Sequence, residues 1–107
     1  MTQRVVVTGM GAVTPLGNDV TTTMKNITAG QVGFAPITKF AAAATGITLA
    51  GELKDFDVTM RLDKRLSKRL DLFSQYALYS ALEAAEQAGL TAETVAPERL
   101  GVMIGSG

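Results

Sequence analysis

The sequence predicts an α/β fold on three observations. Val5-Val6-Val7-Thr8 and Leu100-Gly101-Val102-Met103-Ile104-Gly105 are apolar runs of the kind buried on both faces of a parallel sheet. Between them Leu62, Leu66, Leu70, Phe73, Ala77, Ala81, Ala84 and Ala88 step by 4, 4, 3, 4, 4, 3 and 4, one helical stripe sustained over about seven turns. A right-handed strand–helix–strand connection then lays the 100–105 strand parallel to the 5–8 strand.

The elements follow in order. The first strand closes at Gly9, and Gly9-Met10-Gly11-Ala12-Val13-Thr14-Pro15-Leu16-Gly17 is a glycine-rich connection. Pro15 has no amide for a ladder, so the strand ends before it. Asn18 or Asp19 caps a short helix with Val20, Met24 and Ile27 on one face and Gly30 as its stop. Thr21 to Thr23 weaken that helix through lost χ1 freedom. Residues 31–46 are loop-like, and Ile47-Thr48-Leu49-Ala50-Gly51-Glu52-Leu53 alternates as a half-exposed strand. The long helix, about Leu62 to Ala88, carries large residues in its first half and alanines in its second, so the second half can approach another element closely. Leu72, Tyr76 and Tyr79 widen its apolar face, and Gly89 ends it.

Composition excludes several chemistries. Ten Lys plus Arg balance ten Asp plus Glu in 107 residues, with 47% hydrophobic residues and neither Cys nor His. Zero net charge argues against a nucleic-acid binder that works through overall basicity. Without Cys or His the chain supplies no disulfide, no thiolate metal site and no Cys/His or Ser/His constellation of its own. No apolar run approaches the length of a membrane span or a secretory core, and the cytoplasm is the default compartment.

Several motifs invite a functional reading, and most fail on their own residues. Gly9-Met10-Gly11 begins like a dinucleotide fingerprint, but Thr14-Pro15 stands where the third glycine is needed. The phosphate loop fails as well, since Gly17 is followed by Asn18. The glycines are better read as a tight strand exit with close backbone packing. Ser106 sits between two glycines, yet Ile104 occupies the first glycine position of a nucleophile elbow. Ser67 and Asp71 have no activating partner in the sequence, and Asp71 is read as a cap or an ion-pair member.

The cationic segment is the stronger signal. Arg61, Lys64, Arg65, Lys68 and Arg69 hold five of the ten positive charges within nine residues. Lys64, Arg65, Lys68 and Arg69 fall at i, i+1, i+4 and i+5 and share one helix face. Like charges at i, i+4 cost about 0.2–0.5 kcal/mol per pair. The segment reads either as a solvated face or as a docking patch for an acidic partner.

Arg4-Val5-Val6-Val7-Thr8-Gly9-Met10-Gly11-Ala12-Val13-Thr14-Pro15-Leu16-Gly17-Asn18 resembles the opening of the elongating type II β-ketoacyl-acyl-carrier-protein synthases. Lys68-Arg69-Leu70-Asp71-Leu72-Phe73-Ser74-Gln75-Tyr76-Ala77 resembles that family's basic-to-aromatic helix, and Gly101-Val102-Met103-Ile104-Gly105-Ser106-Gly107 its strand before a glycine-rich turn. The three blocks span essentially the whole chain but only about the first quarter of such an enzyme. Thr23-Met24, Val32 and Ala41 to Ala44 depart from the family pattern.

The resemblance implies a thiolase-like layered α/β fold, of which residues 1–107 form the N-terminal part as far as the 100–105 strand. It implies a cytoplasmic homodimer of the complete enzyme, an acyltransferase of fatty acid biosynthesis with no cofactor, performing a decarboxylative Claisen condensation. A cysteine takes the acyl chain as a thioester and two histidines assist decarboxylation; all three are expected beyond Gly107. The implied partner is acyl carrier protein, acyl- and malonyl-loaded, docking at Arg65, Lys68 and Arg69, which match family positions, with Lys64 added from the shared charge spacing. Gly105, Ser106 and Gly107 match a turn near the acyl pocket and the dimer contact. No metal, nucleic acid or membrane is implied. The rival is a free-standing, non-catalytic module that docks an acidic partner through its basic helix. The expectation is that the chain begins a longer protein, and that residues 1–107 alone are inactive and fold poorly.

Overall fold

The computed structural model describes residues 2–107; Met1, at the start of the expected domain, lies outside the described residues. Helices dominate: α1 (Val20–Thr28), α2 (Lys64–Ser67) and α3 (Leu72–Ala88), with short 3-10 turns at Ala43–Thr45, Val58–Met60 and Pro97–Arg99. Two two-residue strands, β1 (Ala35–Pro36) and β2 (Leu49–Ala50), pair antiparallel with Ala35 opposite Ala50 and Pro36 opposite Leu49. The chain divides into two units, residues up to Gly11 with Val58–Gly107, and Ala12–Asp57.

In the first unit the expected strands carry no ladder: among the described residues 5–8 and 100–105 are not hydrogen-bonded into a sheet. The physical reason is exposure. Val5 is 94% and Met103 97% exposed, and a strand of this composition is stable only with both faces covered. The expected continuous helix from about 62 to 88 is likewise corrected. The helical turn of α2 ends at Lys68, and Asp71, with φ −65° and ψ 161°, breaks the helix before α3 begins. The break also dissolves the single stripe: Leu62 and Tyr79 are buried, whereas Leu66, Leu72 and Phe73 stand exposed. Gly89, at φ +69°, ends α3 in the left-handed conformation, as expected.

The alanine half of α3 does meet another element, the segment 9–11. A methyl group on Gly9 would overlap the Ala84 carbonyl and lie 2.8 Å from the Ala88 amide; one on Gly11 would overlap the Ser80 carbonyl. The Met10 amide donates to Gln87 Oε1 at 2.7 Å. Gly9 and Gly11 are therefore packing glycines that let one backbone lie on another, and a phosphate cradle has no room there.

In the second unit, Thr14 and Gly17 exchange both backbone hydrogen bonds around Pro15-Leu16, at 2.8 and 3.1 Å. Asp19 caps α1, its Oδ1 accepting from the Thr22 amide at 2.6 Å. The expected apolar face of α1 is corrected: Met24 and Ile27 are exposed, and buried Thr23 faces inward, its Oγ1 3.0 Å from Thr14 Oγ1. The strand expected over 47–53 is reduced to β2, and the region read as loop contributes β1. Glu52 ties the two together, accepting from the Thr38 amide at 3.1 Å, the Thr38 hydroxyl at 2.9 Å and the Lys39 amide at 3.3 Å. The Thr38 hydrogen bonds hold its carboxyl below the usual glutamate value.

Candidate functional site

The cationic segment is a corner rather than a helix face. Lys64 and Arg65 lie in α2, Lys68 caps it, and Arg69 follows in the turn, its amide bonding the Leu66 carbonyl at 3.0 Å. All four are exposed, and none forms an ion pair among the described residues. Arg61, the fifth cation of the cluster, is drawn away. It pairs with Glu86 at 2.7 Å and stacks over the buried Tyr79 ring, 5.3 Å from its centroid. The Glu86 hydrogen bond raises its affinity for its proton further.

Three local contacts shape the corner. Ser67 is buried and its hydroxyl donates to the Lys64 carbonyl at 2.8 Å, which uses the hydroxyl structurally and leaves no nucleophile there. Gln75 Nε2 donates to the carbonyls of Ser67, at 2.9 Å, and Leu70, at 3.1 Å. In an unbroken helix those carbonyls would accept from the amides of Asp71 and Ser74; the Gln75 amide takes their place, beside the Leu70 amide, which also bonds the Ser67 carbonyl at 3.2 Å. Asp71 stands at the N-cap of α3, but its side chain makes no capping hydrogen bond and no ion pair among the described residues. The expected role for Asp71 is thus corrected: its backbone, not its carboxylate, makes the break. Gln75 went unnoticed in the sequence because a glutamine inside a helical run carries no signal of what its amide will reach.

Gly105, Ser106 and Gly107 are exposed, and a methyl group on either glycine would meet open space. Upstream of them, Val102 and Ile104 line an apolar cleft of about 310 Å³ with Leu70, Ala77, Leu78 and Ala81. No cluster of acidic, Cys or His residues able to hold a metal occurs among the described residues, and no helix is long and apolar enough to cross a membrane.

Residues 2–107 match the family described as Beta-ketoacyl synthase, N-terminal domain. The chain is 45% identical over 105 residues to 3-oxoacyl-[acyl-carrier-protein] synthase 2 of Staphylococcus aureus (strain COL), covering 98% of this chain and 25% of that protein. It is 42% identical over 105 residues to the synthase of the same name from Coxiella burnetii, again covering 98% and 25%. Among solved structures, the ishigamide ketosynthase/chain length factor superposes with a TM-score of 0.67 at 30% identity, covering 82% of this chain and 22% of that one. The chain thus spans about a quarter of the length of the curated relatives it matches. The helices and few strands described above are part of a thiolase-like α/β fold, and the chain belongs to the β-ketoacyl synthase N-terminal domain family.

Proposed function

We propose that this chain is the N-terminal segment of a 3-oxoacyl-[acyl-carrier-protein] synthase of the elongating kind, and that within it Lys64, Arg65, Lys68 and Arg69 receive the acidic carrier protein. The enzyme extends a fatty acyl chain by condensing an acyl-enzyme thioester with malonyl-carrier protein, releasing carbon dioxide. The curated relatives bear that name over the matched region. The chain has no Cys and no His, so the thiolate and imidazoles of the reaction belong to residues outside these 107. What these residues contribute is docking and scaffold.

One observation carries the docking assignment: four exposed cations held on one corner without internal partners. Repulsion among them is relieved by an acidic partner, and the gain falls mainly on encounter rate and orientation. The Gly105-Ser106-Gly107 segment, which forms no turn in the structure, we assign to the neighbourhood of the acyl pocket and the subunit contact of a cytoplasmic homodimer. The apolar cleft just upstream of it, at Val102 and Ile104, supports that reading.

The test joins residues 1–107 to the remaining three quarters of the Staphylococcus aureus relative in place of that enzyme's own first quarter. Reversing all four charges to Glu is expected to raise KM for acyl- and malonyl-carrier protein about tenfold or more, from four pairs of about 0.2–1 kcal/mol each, with kcat retained. An unchanged KM would return the corner to an ordinary solvated surface.

A further inference from the structure

We propose that Gln75 is a positioning residue for carrier-protein docking. By fastening the break between α2 and α3, it presents the four cations on a bend instead of along a continuous helix. The inference rests on the docking reading above and adds to it the device that fixes the geometry of the docking surface.

Both protons of the Gln75 amide are committed. One goes to the carbonyl of Ser67, the last residue of α2, at 2.9 Å, and the other to that of Leu70, in the turn, at 3.1 Å. The backbone amide of Gln75 bonds the Asp71 carbonyl at 2.9 Å within the first turn of α3. One residue therefore joins the end of α2, the turn and the start of α3. Lys68 and Arg69 lie inside the span it closes, and Lys64 and Arg65 are one turn upstream. The other end of the segment is held independently by the Arg61–Glu86 pair and the Arg61–Tyr79 stack, and buried Leu62 lies between. With both ends fixed to α3, the backbone beneath the four cations is ordered before any partner arrives, leaving only the exposed side chains to be ordered on docking. Gln75 itself is uncharged and half-buried, so its removal changes the arrangement of the cations without changing their number.

Without Gln75 the Ser67 carbonyl keeps only its bond from the Leu70 amide, at 3.2 Å, and the Leu70 carbonyl is open to the main-chain amide one helical turn on. The segment then exchanges between the bend and a continued helix, in which Lys64 and Lys68, and Arg65 and Arg69, are stacked one turn apart. A partner that fits the bend then engages only the fraction of molecules that hold it.

The experiment uses the complete chimeric synthase and two variants, Gln75→Ala and Gln75→Leu, each assayed with carrier-protein thioesters and with the same acyl and malonyl groups on a small thiol. The proposal expects KM for carrier-protein substrates to rise about three- to tenfold, the range of one or two lost hydrogen bonds, with kcat unchanged. Both parameters for the small thioesters should be unchanged, and the dependence of the carrier-protein KM on ionic strength should become shallower. Equal loss with both kinds of substrate would assign Gln75 a merely structural role and overturn the inference, as would no change with either. The four-charge reversal, run in parallel, separates the two levels. If it raises the carrier-protein KM and the Gln75 variants do not, the positioning role fails alone; if the reversal has no effect, the docking reading fails.

Discussion

Two glycine pairs of nearly the same appearance occupy opposite situations in this chain. Gly9-Met10-Gly11 and Gly105-Ser106-Gly107 each follow an apolar run. At the first pair the absent side chains are spaces filled by the backbone of α3 at Ser80, Ala84 and Ala88; at the second, nothing lies within 4 Å of either missing methyl. The same spelling thus serves a close backbone approach in one place and lies in an exposed segment outside any element in the other. A Gly-x-Gly after a strand-like run therefore does not by itself say whether a close contact requires it.

The largest expected difference between the pairs comes from adding a methyl group. Gly11→Ala drives that methyl into a helix carbonyl that cannot rotate away, and is expected to cost about 2–3 kcal/mol. Gly105→Ala should stay within about 0.5 kcal/mol of the parent. Urea unfolding followed by circular dichroism compares the two, and equal effects would break the contrast. Between these extremes, Gly89→Ala forces a side chain into the left-handed region at φ +69° and should cost about 1–2 kcal/mol, which separates a conformational glycine from a packing one. A smaller effect, about 0.5–1 kcal/mol, is expected from Gln87→Ala, which frees the Met10 amide on the exposed side of the same contact.

The smallest effect concerns a hold made of charge instead of shape. Glu52 binds Thr38 and Lys39 as a carboxylate, and its folded-state value is depressed below that of the unfolded chain. Its contribution is therefore complete above the ordinary glutamate value and is lost as pH falls through the depressed one. The protection of the Thr38 and Lys39 amides, read as the exchange rate relative to the intrinsic rate at the same pH, should fall on acidification over that range, while that of the Met10 amide, held by a neutral glutamine, should not respond in the same way.

Much of the scaffold was legible in the residues. Gly89 as the stop of the long helix, a cap at Asn18 or Asp19, which the structure places at Asp19, and the close approach permitted by the alanine half of α3 all follow from local chemistry. The strands at 5–8 and 100–105 were not realised as ladders, because burial on two faces requires covering layers, and Val5 and Met103 have none here. The break at Asp71 was hidden for a different reason. A 3.6-residue stripe continues through 69–71 in the sequence, and the Gln75 side chain, reaching back to two carbonyls, joins the turn bonds of the Arg69 and Leu70 amides in favouring a turn over another helical turn. Of the cationic cluster, Lys64, Arg65, Lys68 and Arg69 were set apart from Arg61 by their i, i+1, i+4 and i+5 spacing, but spacing could not show what holds Arg61 away. That distinction depends on Glu86 and Tyr79, which are remote in sequence.

The most direct measurement is the affinity of the complete synthase for an acidic acyl carrier protein, titrated across ionic strength with the parent corner and with Lys64, Arg65, Lys68 and Arg69 all changed to Glu. The account predicts parent binding that weakens steadily as salt is added, and a variant that binds about tenfold or more weakly at low salt and converges on the parent at high salt. Indistinguishable titrations for the two proteins would contradict it.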